Sequence, residues 1–237
     1  MVLSVFKTTP NNLILNTNLK TLVMNIVKKY LPNNQYMIEP HDKKMIVLHH
    51  TVGGSAKSAI DWWNQDPERV GVAYVIDRDG TVYEVFPPED WAYALGIKGA
   101  PHDLDKISIQ IEIVSWGWLT NQDYKFFVTL GEHKVFIPKD EVIDIDFRGY
   151  KHYHKYSDEQ VTSVCELVKE LNEKFNMNLQ YKDNFWEFDQ SVIDHNTPGL
   201  ISHTTVRKDK TDIFPQPNLI EALKEILPLK TLTKKIQ

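Results

Sequence analysis

The chain has 237 residues, 42% apolar, 25% charged and 11% aromatic, which is enough apolar material for a substantial core. A net charge of −5 argues against a nucleic-acid partner, and no apolar run is long enough for a membrane-spanning helix. A single cysteine, Cys165, excludes an internal disulfide, and no basic stretch leads into an apolar segment near the start, so no secretory signal peptide is expected.

Residues 1–15 are polar and Asn-rich and read as a loosely held arm. Leu19, Leu22, Val23, Ile26, Val27, Tyr30 and Leu31 recur at helical spacing, which predicts a helix ended by Pro32. Met45–Leu48 is a short apolar run, read as a buried strand that delivers His49 and His50 at its end. Ser55 is placed to cap a helix running through Trp62 and Trp63. Val72–Ile76 and Thr81–Phe86, separated by Asp79-Gly80, read as a hairpin. From Ile107 to Val114 the chain alternates: Ile107, Ile109, Ile111 and Ile113 on one face, Ser108, Gln110 and Glu112 on the other. The isoleucine face is expected under helices, with Glu112 on the opposite face.

Residues 115–156 form a long aromatic and charged insert without helical period, with Val135–Ile137 and Val142–Phe147 as a hairpin-like excursion. Within it, Tyr150-Lys151-His152-Tyr153-His154 is expected to be a solvated loop packing on the helix that follows, not a metal tract. Ser157 and Gln160 form a capping-box pattern ahead of a helix whose stripe is Val161, Val164, Cys165, Val168, Leu171 and Phe175, with Cys165 as a core residue. Pro217 opens a last helix carrying Leu219, Ile220, Leu223, Ile226 and Leu227. The expected architecture is α/β, a mixed central sheet flanked by helices in one domain. Its parts are an arm and helix at 1–40 packed on the domain, a main domain at 41–228 with the insert at 115–156, and a tail at 229–237.

Three features ask for a joint explanation: His49 at a strand end, Glu112 on a sheet face, and His203 ahead of Lys210-Thr211-Asp212. Singly, each has a plain structural reading, and the nine-residue separation of His203 and Asp212 fits no helical face, so a loop must bring them together.

The surrounding segments carry more. Met45-Ile46-Val47-Leu48-His49-His50-Thr51 and His203…Lys210-Thr211-Asp212 resemble the zinc-dependent N-acetylmuramoyl-L-alanine amidases, a family that includes phage endolysins, cytoplasmic anhydromuropeptide amidases and peptidoglycan recognition proteins. Gly71–Tyr83 resembles that family's central hairpin, Ile107–Glu112 its next strand, and Tyr156–Gln160 the start of its long helix. The resemblance covers roughly residues 43–227, in order.

The resemblance implies one zinc ion per chain, held by His49, His203 and Asp212. Successive strand residues face opposite ways, so only one of His49 and His50 can face the metal, and the family pattern selects His49. Two imidazoles and a carboxylate leave a fourth tetrahedral position, as catalytic zinc requires. Glu112 matches the general base of one amidase branch; other branches use a hairpin tyrosine, whose position here is Val72. Lys210 matches the lysine facing the scissile carbonyl, while Arg207 and Lys208 read as solvated. After Asp212 the family's Pro-Gly-Pro is replaced by Ile213-Phe214-Pro215-Gln216-Pro217.

Trp62, Trp63, Trp91, Trp116 and Trp118 fall in segments expected near the cleft. Trp116 and Trp118 are favoured as substrate contacts because they follow Glu112, with His102 as a further candidate. The function implied is hydrolysis of the amide between N-acetylmuramic acid and L-alanine in peptidoglycan, in the setting of a phage endolysin acting on the cell wall. Alternatives are a cytoplasmic muropeptide-recycling amidase and a non-catalytic peptidoglycan-binding module. Peptidoglycan or muropeptide is the expected partner, with no membrane segment and a monomeric state.

Overall fold

The computed structural model describes Met24 and residues 26–98 and 102–228. The arm at 1–15, the first part of the helix predicted from Leu19 and the tail at 229–237 lie outside the described residues. Where that helix prediction can be checked, it gives way to a strand. β1 (Ile26–Lys28) runs parallel to Val82–Glu84, and the pairing continues as Lys29 N–H to Glu84 C=O and Leu31 N–H to Val85 C=O. An open sheet edge offers backbone partners that helical spacing in the sequence cannot reveal, and β-branched Ile26 and Val27 suit a strand as well.

β2 (Met45–His50) is buried at every position, as a central strand covered on both faces must be. α1 (Ala56–Trp63) starts at Ser55, whose hydroxyl accepts the Ser58 N–H. β3 (Tyr74–Ile76) and β4 (Val82–Glu84) form the expected antiparallel hairpin. Ile107 closes a short helix, α2 (Asp103–Ile107), which runs directly into β5 (Ser108–Ile113).

The insert is built from strands. β6 (Thr120–Gln122), β7 (Lys125–Leu130) and β8 (His133–Ile137) make a three-stranded antiparallel sheet. β9 (Val142–Phe147) and β10 (Tyr150–His154) make a separate ribbon. Val135–Ile137 and Val142–Phe147 are therefore both strands, but they pair with different partners and not with each other. Nor is 150–154 a solvated loop: Tyr153 and His154 are buried, and Ile143, Ile145 and Phe147 of the neighbouring strand pack on the main core. The two-residue turns Asp123-Tyr124 and Arg148-Gly149 have positive φ throughout, the geometry that joins twisted strands tightly.

α3 (Asp158–Lys174) carries the full capping box of Ser157 and Gln160. The buried Gln160 amide also donates to the Ile76 and Val114 carbonyls, tying the helix start to the ends of β3 and β5. After α4 (Gln190–His195), β11 (Gly199–Ser202) leads at once into α5 (His203–Val206), and α6 (Pro217–Ile226) closes the described chain.

The main sheet has the order β1-β4-β3-β5-β2-β11 and is mixed, with β3–β4 its antiparallel pair. Its two faces have unequal cores. Ile46, Leu48, Ile109, Ile111 and Ile113 join the larger one, under α3 and α6. Met45 and Val47 join a smaller one with Leu95, Leu104, Val192, Ile201 and Val206. Ser108, Gln110 and Glu112 share that second face, as the alternation requires.

Candidate metal centre

The site forms where three adjacent strands end. β2 contributes His49, β5 contributes Glu112 directly across from it, and β11, paired with β2 on the other side, delivers His203 as the first residue of α5. Ser202 and Thr205 cap this one-turn helix, and Thr204 and Thr205 donate to the Trp186 and Phe185 carbonyls, which pins His203. The chain then loops back, and a Thr204 N–H to Asp212 C=O bond sets Asp212 beside His203. The nine-residue gap is thus closed by a loop.

His49 Nδ1 lies 3.0 Å from His203 Nδ1 and 3.3 Å from Asp212 Oδ2, and His203 Nδ1 is 2.9 Å from the same oxygen. Among the described residues, this is the His/Cys/Asp/Glu grouping whose donor atoms converge closely enough for a metal ion. Both histidines turn Nε2 away, to Gln110 Oε1 at 2.6 Å and to the Leu95 carbonyl at 3.0 Å. Those oxygens accept hydrogen bonds, so each Nε2 carries the proton and each Nδ1 presents a lone pair. Two lone pairs and a carboxylate oxygen facing one point form a donor set suited to a divalent cation, and the His/His/Asp chemistry fits zinc.

All five residues expected to do chemistry line one cleft of about 460 Å³: His49, His203, Asp212, Glu112 and Lys210. Glu112 Oε2 is buried without a hydrogen-bond partner. Burial pushes the Glu112 pKa up to about 7, with the Asp212 charge adding to the rise and His49 and Lys210 opposing it. Within the run Arg207–Lys210, the side chains have separate tasks. Arg207 pairs with Asp209, Lys208 lies over the Phe188 ring, and Lys210 lines the cleft. Val72 also lines the cleft.

His50 falls on the opposite pleat face. Its Nδ1 is 3.2 Å from Tyr156 Oη, its ring packs near Phe214, and burial lowers its pKa to about 4. The chain passes so close above this ring that a Cβ on Gly117, whose φ is +72°, would sit 2.6 Å from His50 Nε2.

The expected aromatic contacts are distributed differently. Trp118 stacks on Tyr150 with ring centroids 4.2 Å apart, and Trp116 packs on the core of the insert; neither lines the cleft. His102 faces Asp105 and packs against Tyr93, also outside the cleft. Trp62 and Trp63 of α1 line it instead, with Trp62 and Val52 exposed at the rim. Trp116 lies against Gly54, next to the cleft-lining Gly53, whereas Trp118 follows the left-handed turn at Gly117.

A family model described as N-acetylmuramoyl-L-alanine amidase matches residues 39–217. Among solved structures, a mutant form of PlyL is similar at 13% identity, covering 85% of this chain and 99% of that one with a TM-score of 0.49. N-acetylmuramoyl-L-alanine amidase LysC from Clostridium intestinale URNW is similar at 18% identity, covering 87% and 99% respectively with a TM-score of 0.48. No curated protein sequence matches the chain.

Proposed function

Since the chain belongs to the N-acetylmuramoyl-L-alanine amidase family, we propose that it cleaves the amide between N-acetylmuramic acid and L-alanine with one zinc ion held by His49, His203 and Asp212. The observation that carries this reading is the convergence of two imidazole Nδ1 atoms and one carboxylate oxygen in the cleft that also holds Glu112 and Lys210. A bound zinc ion supplies Lewis acidity, polarising the scissile carbonyl and acidifying water.

The chain's own groups do the rest. Glu112 has an oxygen free of other hydrogen bonds and a pKa raised by burial to about 7, so it is poised to take the proton of the attacking water. It then returns that proton to the departing amine of L-alanine. The Lys210 ammonium faces the cleft and balances negative charge as it develops on the carbonyl oxygen. Trp62 and Trp63 offer apolar faces for the sugar or the stem peptide.

The setting proposed is that of a phage endolysin acting on intact wall. A rim with exposed Trp62 and Val52 leaves the cleft accessible to a polymer that the protein cannot enclose. Release of stem peptides from intact sacculi at a rate similar to that from soluble muropeptides supports this setting. Activity confined to soluble muropeptides transfers the protein to the recycling role, and inactivity on both with retained binding makes it a recognition module.

A further inference from the structure

Gln110 has no place in the chemistry above, yet it makes a short polar contact at the heart of the site. It lies on β5 two residues before Glu112, on the same pleat face, in register with Val47. Its side chain is buried, at 4% exposure. Its Oε1 is 2.6 Å from His49 Nε2, its Nε2 is 2.6 Å from Ser108 Oγ, and the Ser108 hydroxyl donates to the Leu104 carbonyl in the first turn of α2.

This chain of contacts has one consistent direction. The Ser108 hydroxyl owns a single proton, which goes to the Leu104 carbonyl, so toward Gln110 it can only accept. The amide must therefore present its NH₂ to Ser108 and its oxygen to His49. A carbonyl oxygen cannot donate, so His49 keeps its proton on Nε2 and turns the Nδ1 lone pair toward His203 and Asp212. The equivalent role at His203 falls to the Leu95 backbone carbonyl. At His49 it falls to a side chain, and a side chain can be changed.

We infer that Gln110 is a positioning residue that fixes His49 in the Nε2–H tautomer, oriented in turn by Ser108, and thereby sets the metal affinity of the site. This rests on the metal reading above. Burial makes the arrangement rigid: an amide with both ends bonded in a closed core has no alternative partner, and the imidazole it holds cannot rotate without orphaning it. Partners that orient metal-bound histidines typically contribute about 10–100-fold in affinity.

The test measures zinc binding by competition with a chromogenic chelator, on the full chain, in wild type, Gln110→Met, Gln110→Glu and His203→Ala. Methionine keeps the length and loses the acceptor, and should weaken zinc binding about 10–100-fold. Glutamate keeps an acceptor toward His49 and should bind zinc at least as tightly as wild type. Long-range ¹H–¹⁵N spectra of the metal-free wild type should show His49 as the Nε2–H tautomer, a readout that stands even if Gln110→Met does not fold. Wild-type affinity in a folded Gln110→Met variant, or a His49 ring protonated on Nδ1 alone, overturns the inference. His203→Ala separates the two levels: full zinc retention there removes the metal reading itself, whereas its loss alongside an unaffected Gln110→Met removes only the role of Gln110.

Discussion

His49 and Glu112 stand directly opposite each other in the parallel β2–β5 pair, on the same face of the sheet. Neighbouring strands lie about 4.8 Å apart, so the proposed ligand and the proposed base are delivered to one cleft by strand register alone, without a loop between them. A one-residue slip of β2 would exchange His49 for His50, and one of β5 would turn Glu112 into the larger core; the burial of both strands resists either slip.

Glu112→Gln should keep the fold and about one equivalent of zinc while losing about 10²–10⁴-fold in rate, because an amide cannot accept the proton. Metal analysis and steady-state rates on the same preparation check both halves. Activity within a few-fold of wild type would assign the proton transfer to another group.

Zinc content should distinguish the two adjacent histidines. His203→Ala and His49→Ala should lose the metal, falling from about one equivalent toward none. His50→Ala should retain it, since His50 faces Tyr156 and Phe214 in the other core. Loss of zinc in His50→Ala with retention in His49→Ala would reverse the assignment.

Lys210→Ala should lower kcat with little change in KM and no loss of metal, because an oxyanion contact acts mainly in the transition state. A raised KM at unaltered kcat would make Lys210 a binding residue.

The sequence disclosed those parts of the fold whose signal is local. The strict alternation of Ile109, Gln110, Ile111, Glu112 and Ile113 marks β5 and its two faces, and Ser157 with Gln160 marks the start of α3. His203 and Asp212 are not legible from spacing, because a Thr204–Asp212 backbone bond across a loop joins them; the ordered resemblance to the amidases is needed. β1 reads as helix because its pairing partner lies more than fifty residues away at a sheet edge. In the insert, Val135–Ile137 and Val142–Phe147 are legible as strands but not their partners; β6, β7 and β10 escape because charged and aromatic residues break the alternation on their solvent faces. Gln110 reads only as a position on the polar face of β5, since nothing in the sequence says which ring it meets.

The insert supplies a prediction independent of the metal. His154 is buried, accepts the Trp116 N–H on Nδ1 at 3.1 Å and bonds Glu141 through Nε2 at 2.9 Å. Burial lowers its pKa from 6.5 to about 4, against the pull of Glu141. The unfolded chain therefore takes up a proton near pH 6.5 that the folded protein refuses until about 4. Stability from this group is complete above pH 6.5 and is lost as the pH falls toward 4, by up to about 3 kcal/mol at ~1.4 kcal/mol per unit. Urea unfolding in chelator at pH 7.5 and 4.5 should show wild type losing about 2–3 kcal/mol more than His154→Gln. Equal losses would mean that His154 does not titrate as its burial dictates.

Which bond the protein cuts is read from the products of digested sacculi. Purified sacculi are incubated with the protein, with and without chelator, and new amino termini and new reducing sugars are quantified and the released peptides sequenced. The expected result is chelator-sensitive release of intact stem peptides beginning with L-alanine, with no new reducing ends. A glycosidase, which works through paired carboxylates, would produce reducing ends instead. Reducing ends, or released peptides that never begin with L-alanine, would rule out cleavage of the muramoyl–L-alanine amide.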